Sequence, residues 1–108
     1  MDARAHIDDL AAFVTASPSS FHAAAEVARR LDAAGFTRQA EDEPFVDEPR
    51  GGYVVRDGAV VAWHVPSGVD AARAGFRIVG AHTDSPSLKL KPQPNAYSVG
   101  WQQAAVEV

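Results

Sequence analysis

The chain contains no cysteine. That single absence removes a disulfide scaffold, a thiolate zinc site, an iron–sulfur site and a cysteine nucleophile, and it fits a reducing compartment. Long apolar runs are also missing. The longest, residues 10–14 and 59–63, hold five residues each, whereas a membrane-spanning helix needs about 20. Positive charge is scarce: 10 Lys+Arg stand against 14 Asp+Glu, for a net charge of −4, and no segment concentrates the bases. A nucleic-acid binder wants a basic stripe or patch, so that class drops out. The opening Met-Asp-Ala-Arg-Ala-His-Ile-Asp-Asp lacks a basic stretch followed by an apolar one, so no signal peptide is read there. The expectation is a soluble, cytoplasmic protein with neither a membrane nor a nucleic acid as partner.

What remains is ordinary globular material. The 46% apolar content excludes wholesale disorder. A length of 108 residues is the size of one domain. Such a chain buries roughly 65% of its unfolded surface without staples.

Ile7, Leu10, Ala11 and Val14 fall at i, i+3, i+4 and i+7, one stripe of a helix, with Asp8 and Asp9 in its early turns. Ser17-Pro18-Ser19-Ser20 ends it, because proline drives its predecessor out of the α region. Ser19 or Ser20 then caps a second helix whose apolar face is Phe21, Ala24, Ala28 and Leu31, closed by Gly35. After Gly35 the period falls to two. Residues 36–40 read as a short strand, and Glu41-Asp42-Glu43-Pro44 with Asp47-Glu48-Pro49 as an acidic loop. Asp57-Gly58 joins β-rich runs 52–56 and 59–65, a hairpin signal for a type I′ turn. Residues 66–75 read as a loop, 76–81 as a third strand, and 87–91 as a half-buried strand that Pro92-Gln93-Pro94-Asn95 breaks. Residues 98–108 form a last β-like stretch with no partner after it. Unpaired edges are usually covered, so the chain reads as cut.

Four histidines could carry chemistry. His6 reads as solvated, His22 as a surface or capping residue, and His64 as a wall residue beside Trp63. His82 differs in context. It ends the apolar run Phe76-Arg77-Ile78-Val79-Gly80-Ala81, and sites in open α/β sheets gather at the carboxyl ends of strands. Extended chain puts Asp84 on the same side, where its carboxylate can take the second ring N–H of His82 and aim the free nitrogen at a metal. Gly80 would allow close backbone approach, and Pro86 stiffens the exit. The same triplet also suits a plain Asx turn before Ser85-Pro86, and spacing alone leaves both readings open. No Gly-x-Ser-x-Gly elbow, phosphate loop or His-Glu-x-x-His is present.

The run Gly80-Ala81-His82-Thr83-Asp84-Ser85-Pro86-Ser87-Leu88-Lys89-Leu90-Lys91-Pro92 closely resembles the first metal-ligand motif of the aspartyl aminopeptidase family of dinuclear zinc metallopeptidases. Ala16-Ser17-Pro18-Ser19-Ser20-Phe21-His22-Ala23, Leu31-Asp32-Ala33-Ala34-Gly35-Phe36, Gly51-Gly52-Tyr53 and Gly100-Trp101-Gln102-Gln103 are similar to that family in the same order. Ser87 departs from it, since many members have cysteine there, but this is not a ligand position.

The resemblance implies His82 as a metal ligand and Asp84 as the catalytic-site residue that holds the His82 ring. It implies two zinc ions in the parent enzyme, with cobalt or manganese as alternatives. It also implies peptide substrates with an acidic N-terminal residue, hydrolysed by zinc-activated water, and a large homo-oligomer. The other ligands and the general-base glutamate would lie beyond residue 108. One histidine and one supporting aspartate cannot hold a metal pair, so the chain alone is expected to be inactive. The expected fold class is α/β: two N-terminal helices, a β-hairpin and further strands of a mixed sheet, an incomplete portion of a zinc-aminopeptidase catalytic domain. Residues 1–92 would belong to that domain, and 93–108 would begin the next segment, the inserted oligomerisation domain. The rivals are a non-catalytic α/β interaction module and another His-x-Asp metallohydrolase.

Overall fold

The computed structural model describes residues 2–46 and 51–107. Asp47-Glu48-Pro49, read above as part of the acidic loop, lies outside the described residues.

Helix α1 spans Ala3–Ala16 and helix α2 spans Ser20–Ala33. Asp2 caps α1, its carboxylate accepting from the Ala5 N–H at 2.7 Å, and Ser19 caps α2 by accepting from the His22 N–H at 3.4 Å. Gly35, at φ 83°, closes α2 with a Schellman pair: the Phe36 N–H donates to the Leu31 carbonyl and the Gly35 N–H to that of Asp32. Strands β1 (Thr37–Arg38), β2 (Gly52–Arg56) and β3 (Ala59–Trp63) form one mixed sheet. β1 runs parallel to β2, and β2 antiparallel to β3, with Tyr53 opposite Ala62. Strands β4 (Lys89–Ser98) and β5 (Trp101–Glu107) make a separate antiparallel pair. The α/β class and the mixed sheet are therefore as expected.

The core lies where α2 covers β2. Ala23, Ala24, Tyr53 and Val54 are buried there. The buried face of α2 is rotated from the expected one: Phe21 is 61% exposed. Small residues face the sheet because helix and hairpin come close. A Cβ on Gly58 would sit 2.6 Å from Ser20 Oγ. The turn differs too. Asp57 adopts positive φ (52°) and Gly58 does not, so this is not the type I′ geometry, and it is the close approach of Ser20 that demands glycine.

Polar contacts finish the packing. Tyr53 donates its hydroxyl proton to Asp32 Oδ1 at 2.7 Å, tying β2 to α2. Burial first, then that bond, raises the Tyr53 pKa above its usual 10.0. Glu26 accepts two bonds from Arg29 and one from Arg30, and these hold its pKa at about 2. Arg30 also pairs with Asp9 at 2.8 Å and lies over the Phe13 ring, so α1 rests on α2 through charge and one aromatic. The α1 stripe is not buried: Ile7, Leu10 and Val14 are 61–67% exposed. The helix period is right, but among the described elements α1 touches α2 alone.

Three strand expectations change. Residues 76–81 form no strand, and Phe76, Ile78 and Val79 are almost fully exposed. A β-run needs a ladder partner, and no described segment pairs with this one. Pro92-Gln93-Pro94-Asn95 does not end a strand either. β4 runs through it, with the register shifting between Leu90 and Asn95. The prolines remove ladder donors, and the strand absorbs this as a bulge. β5 does have a partner, the strand before it, joined by a tight turn with Val99 (φ 50°) and Gly100 (φ 82°) both in the left-handed region. A β-branched residue there is uncommon, which hid the turn.

Candidate metal centre

His82 and Asp84 lie in the extended, strandless segment between the sheet and β4. The Thr83 hydroxyl tethers it, donating to the Gly58 carbonyl at 2.6 Å. The segment is thereby pinned beside the β2–β3 turn, with His82 and Asp84 flanking the tether. The i, i+2 spacing brings the two side chains together, His82 Nδ1 standing 3.4 Å from Asp84 Oδ1. The shorter contact is with the Asp84 main-chain carbonyl, 2.6 Å from the same nitrogen. A carbonyl only accepts, so Nδ1 is the donor in this contact and Nε2 is the nitrogen left to meet a metal. Asp84 therefore sets the tautomer through its backbone, while its carboxylate stands farther off. Both side chains are open, at 79% and 86% exposure.

Gly80, expected to admit close approach, has no atom within 4 Å of a Cβ built on it, because nothing described packs on that run. Elsewhere, His22 Nδ1 lies 2.7 Å from Ser19 Oγ at the α2 cap. The His64 ring packs tilted against Phe36, and Trp63 stacks on Phe45 at 5.3 Å. The described part of the acidic loop carries no metal cluster; Gln39 holds it instead by accepting from the Val46 N–H. Sequence reasoning missed the Thr83 tether, and no local signal links positions 25 residues apart. It also missed Lys89 and Glu107, which share a surface depression with His82 and Asp84.

Residues 13–108 match the family model of the aminopeptidase I zinc metalloproteases, M18. The chain belongs to the M18 family. It is 52% identical over 105 residues to a probable M18 family aminopeptidase 2 of Streptomyces coelicolor, covering 97% of this chain and 24% of that relative. A Pseudomonas fluorescens protein described in the same words is 45% identical over 102 residues, covering 89% of this chain and 23% of its own length. Among solved structures, a chain in the cryo-EM structure of the Ape4 and Nbr1 complex superposes with a TM-score of 0.79 at 30% identity, over 92% of this chain and 19% of that one. The chain thus spans about a quarter of the length of the curated M18 relatives it matches.

The M18 family is a family of zinc metalloproteases, and the chemistry of His82 can be tested against zinc. A neutral imidazole with one nitrogen donating to oxygen and the other free and solvent-facing is the form that binds zinc. His82 fits as one ligand. Among the described residues, no group of three or more His, Cys, Asp or Glu stands together. A catalytic zinc takes about three protein ligands, so these residues supply part of a shell.

Proposed function

We propose that this chain is the N-terminal portion of an M18 zinc aminopeptidase that removes acidic N-terminal residues from peptides. The observation that carries the reading is the family match over residues 13–108, joined to the contact of His82 Nδ1 with the Asp84 carbonyl in the metal-ligand motif. His82 would hold one zinc ion through Nε2. Asp84 is the residue that keeps the ring in that orientation. Zinc, when bound, supplies Lewis acidity toward water and the scissile carbonyl.

The chain's own contribution is positioning. The Thr83–Gly58 bond fixes the segment against the hairpin, and Asp84 fixes the imidazole. The remaining ligands, the second metal and the general base belong to the rest of the protein, and the chain alone is inactive. Cobalt or manganese can replace zinc at such a histidine–carboxylate site. The acidic preference and the assembly into a large homo-oligomer rest on the motif resemblance over residues 80–92 and the shorter matches in order along the chain, and the cytoplasmic location on the composition and opening residues read above.

The test is hydrolysis of peptides with N-terminal Asp or Glu, against neutral N-termini, by the full-length protein. Activity that disappears on chelation and returns with zinc supports the reading. Activity indifferent to chelation, or none at all, overturns it. Hydrolysis by the 108-residue chain with zinc added would overturn the claim that it is inactive alone.

A further inference from the structure

Between β3 and the middle of β4 the chain has little to lean on. Every residue from 65 to 93 is exposed except Thr83, which is half-buried. Its hydroxyl reaches back 25 positions to the Gly58 carbonyl, at 2.6 Å. That acceptor is itself held firmly. Gly58 lies in the turn between β2 and β3, and α2 presses on it: a Cβ added there would meet Ser20 Oγ at 2.6 Å and Ser20 Cβ at 2.7 Å. Ser20 is the first residue of α2, directly after the Ser19 cap. The seat is a helix end packed on a turn, and both elements lie outside the metal motif.

The alternation of extended chain gives the seat its consequence. Side chains at i and i+2 face one way, and the residue between them faces the other. Thr83 stands between His82 and Asp84. With Thr83 turned to Gly58, His82 and Asp84 both line a depression that Thr83 does not. The run forms no ladder that would fix its rotation. A ligand on a free run has to be ordered when the metal binds, which costs backbone entropy. A run already seated has lost that entropy beforehand.

We propose that Thr83 is a positioning residue of the metal centre. Its hydroxyl, seated on Gly58 and through it on Ser20, keeps His82 and Asp84 turned to one side and raises zinc affinity without touching the ion. The inference rests on the zinc reading of His82 given above and deepens it by naming the group and the seat that pre-order the ligand.

The experiment uses the full-length protein as wild type, Thr83→Val, Thr83→Ser, Gly58→Ala and the Thr83→Val, Gly58→Ala double variant. Thr83→Val keeps the branched shape and loses the hydroxyl, whereas Thr83→Ser keeps the hydroxyl. The readout is zinc affinity by competition with a chelator, beside the thermal stability of the metal-free protein. Thr83→Val weakens zinc binding by about 3- to 10-fold, the share of one neutral hydrogen bond, and Thr83→Ser restores most of it. Gly58→Ala displaces the acceptor against Ser20 and weakens zinc too, and adding Thr83→Val to it costs little more. A Thr83→Val protein that binds zinc as the wild type does overturns the proposal, even if its metal-free form is less stable. A Thr83→Ser no better than Thr83→Val, or losses that simply add in the double variant, overturn it as well. A wild type that binds no zinc removes both this inference and the function proposed above. A wild type that binds zinc and a Thr83→Val that binds it equally remove this one alone.

Discussion

Replacing Tyr53 by Phe isolates the bond that ties the sheet to α2. Tyr53 is 2% exposed, and its hydroxyl donates to Asp32 Oδ1 at 2.7 Å. A hydrogen bond to a charged acceptor contributes about 1.5–3 kcal/mol net. Asp32 is exposed and regains water when the hydroxyl is gone, which places Tyr53→Phe at the low end, about 1–2 kcal/mol. Asp32→Ala is the harsher change, because it strands the buried hydroxyl without its acceptor, at about 1–3 kcal/mol. The double variant costs less than the sum, with a coupling of about 1 kcal/mol. Urea unfolding at neutral pH of the four proteins measures the cycle. The bond also has an alkaline signature. The Tyr53 pKa is raised in the fold, so its contribution is complete below pH 10.0 and is lost as pH rises through the folded value. Tyr53→Phe removes that part of the alkaline slope. A Tyr53→Phe protein as stable as the wild type, or a coupling of zero, would refute the assignment.

Gly51→Ala is expected to destabilise by about 3 kcal/mol, read by thermal unfolding. Gly51 sits at φ 112°, and a Cβ there collides with the Trp63 carbonyl oxygen, which is backbone and cannot swing away. Val99→Asn is expected to stabilise by about 1 kcal/mol in the same assay, since it relieves a β-branched residue held at φ 50°. The arginine bonds hold Glu26 at about 2 against an ordinary 4.5, so its contribution is complete above pH 4.5 and lost as pH falls through 2. Glu26→Gln flattens stability between those limits, and an unaltered acid profile would contradict the pairing.

The helices were legible because their signals are local. The 3.6 stripe, Ser17-Pro18, the serine cap and Gly35 each act within a turn or two, and all four recur in the structure. The hairpin at Asp57-Gly58 was legible for the same reason. Its turn geometry was not, because the crowding against Ser20 comes from another element. Residues 76–81 illustrate the opposite case. Their composition is that of a buried strand, but a strand exists only with neighbours, and composition does not say where those are. At β4 the prolines read locally as breakers, whereas the antiparallel partner carries the strand past them. The candidate site divides along the same line. The i, i+2 spacing put His82 and Asp84 within reach, which was a local inference. That the Asp84 carbonyl sets the tautomer, and that Thr83 anchors the segment to Gly58, depends on backbone placement that spacing does not encode.

The central claim is that His82 binds zinc in the full-length protein. Metal stoichiometry by elemental analysis, for wild type and His82→Ala purified alike, tests it most directly. The account predicts bound zinc in the wild type and a clear loss of it in His82→Ala, with peptide hydrolysis lost alongside. A His82→Ala protein that keeps both its metal content and its rate would contradict it.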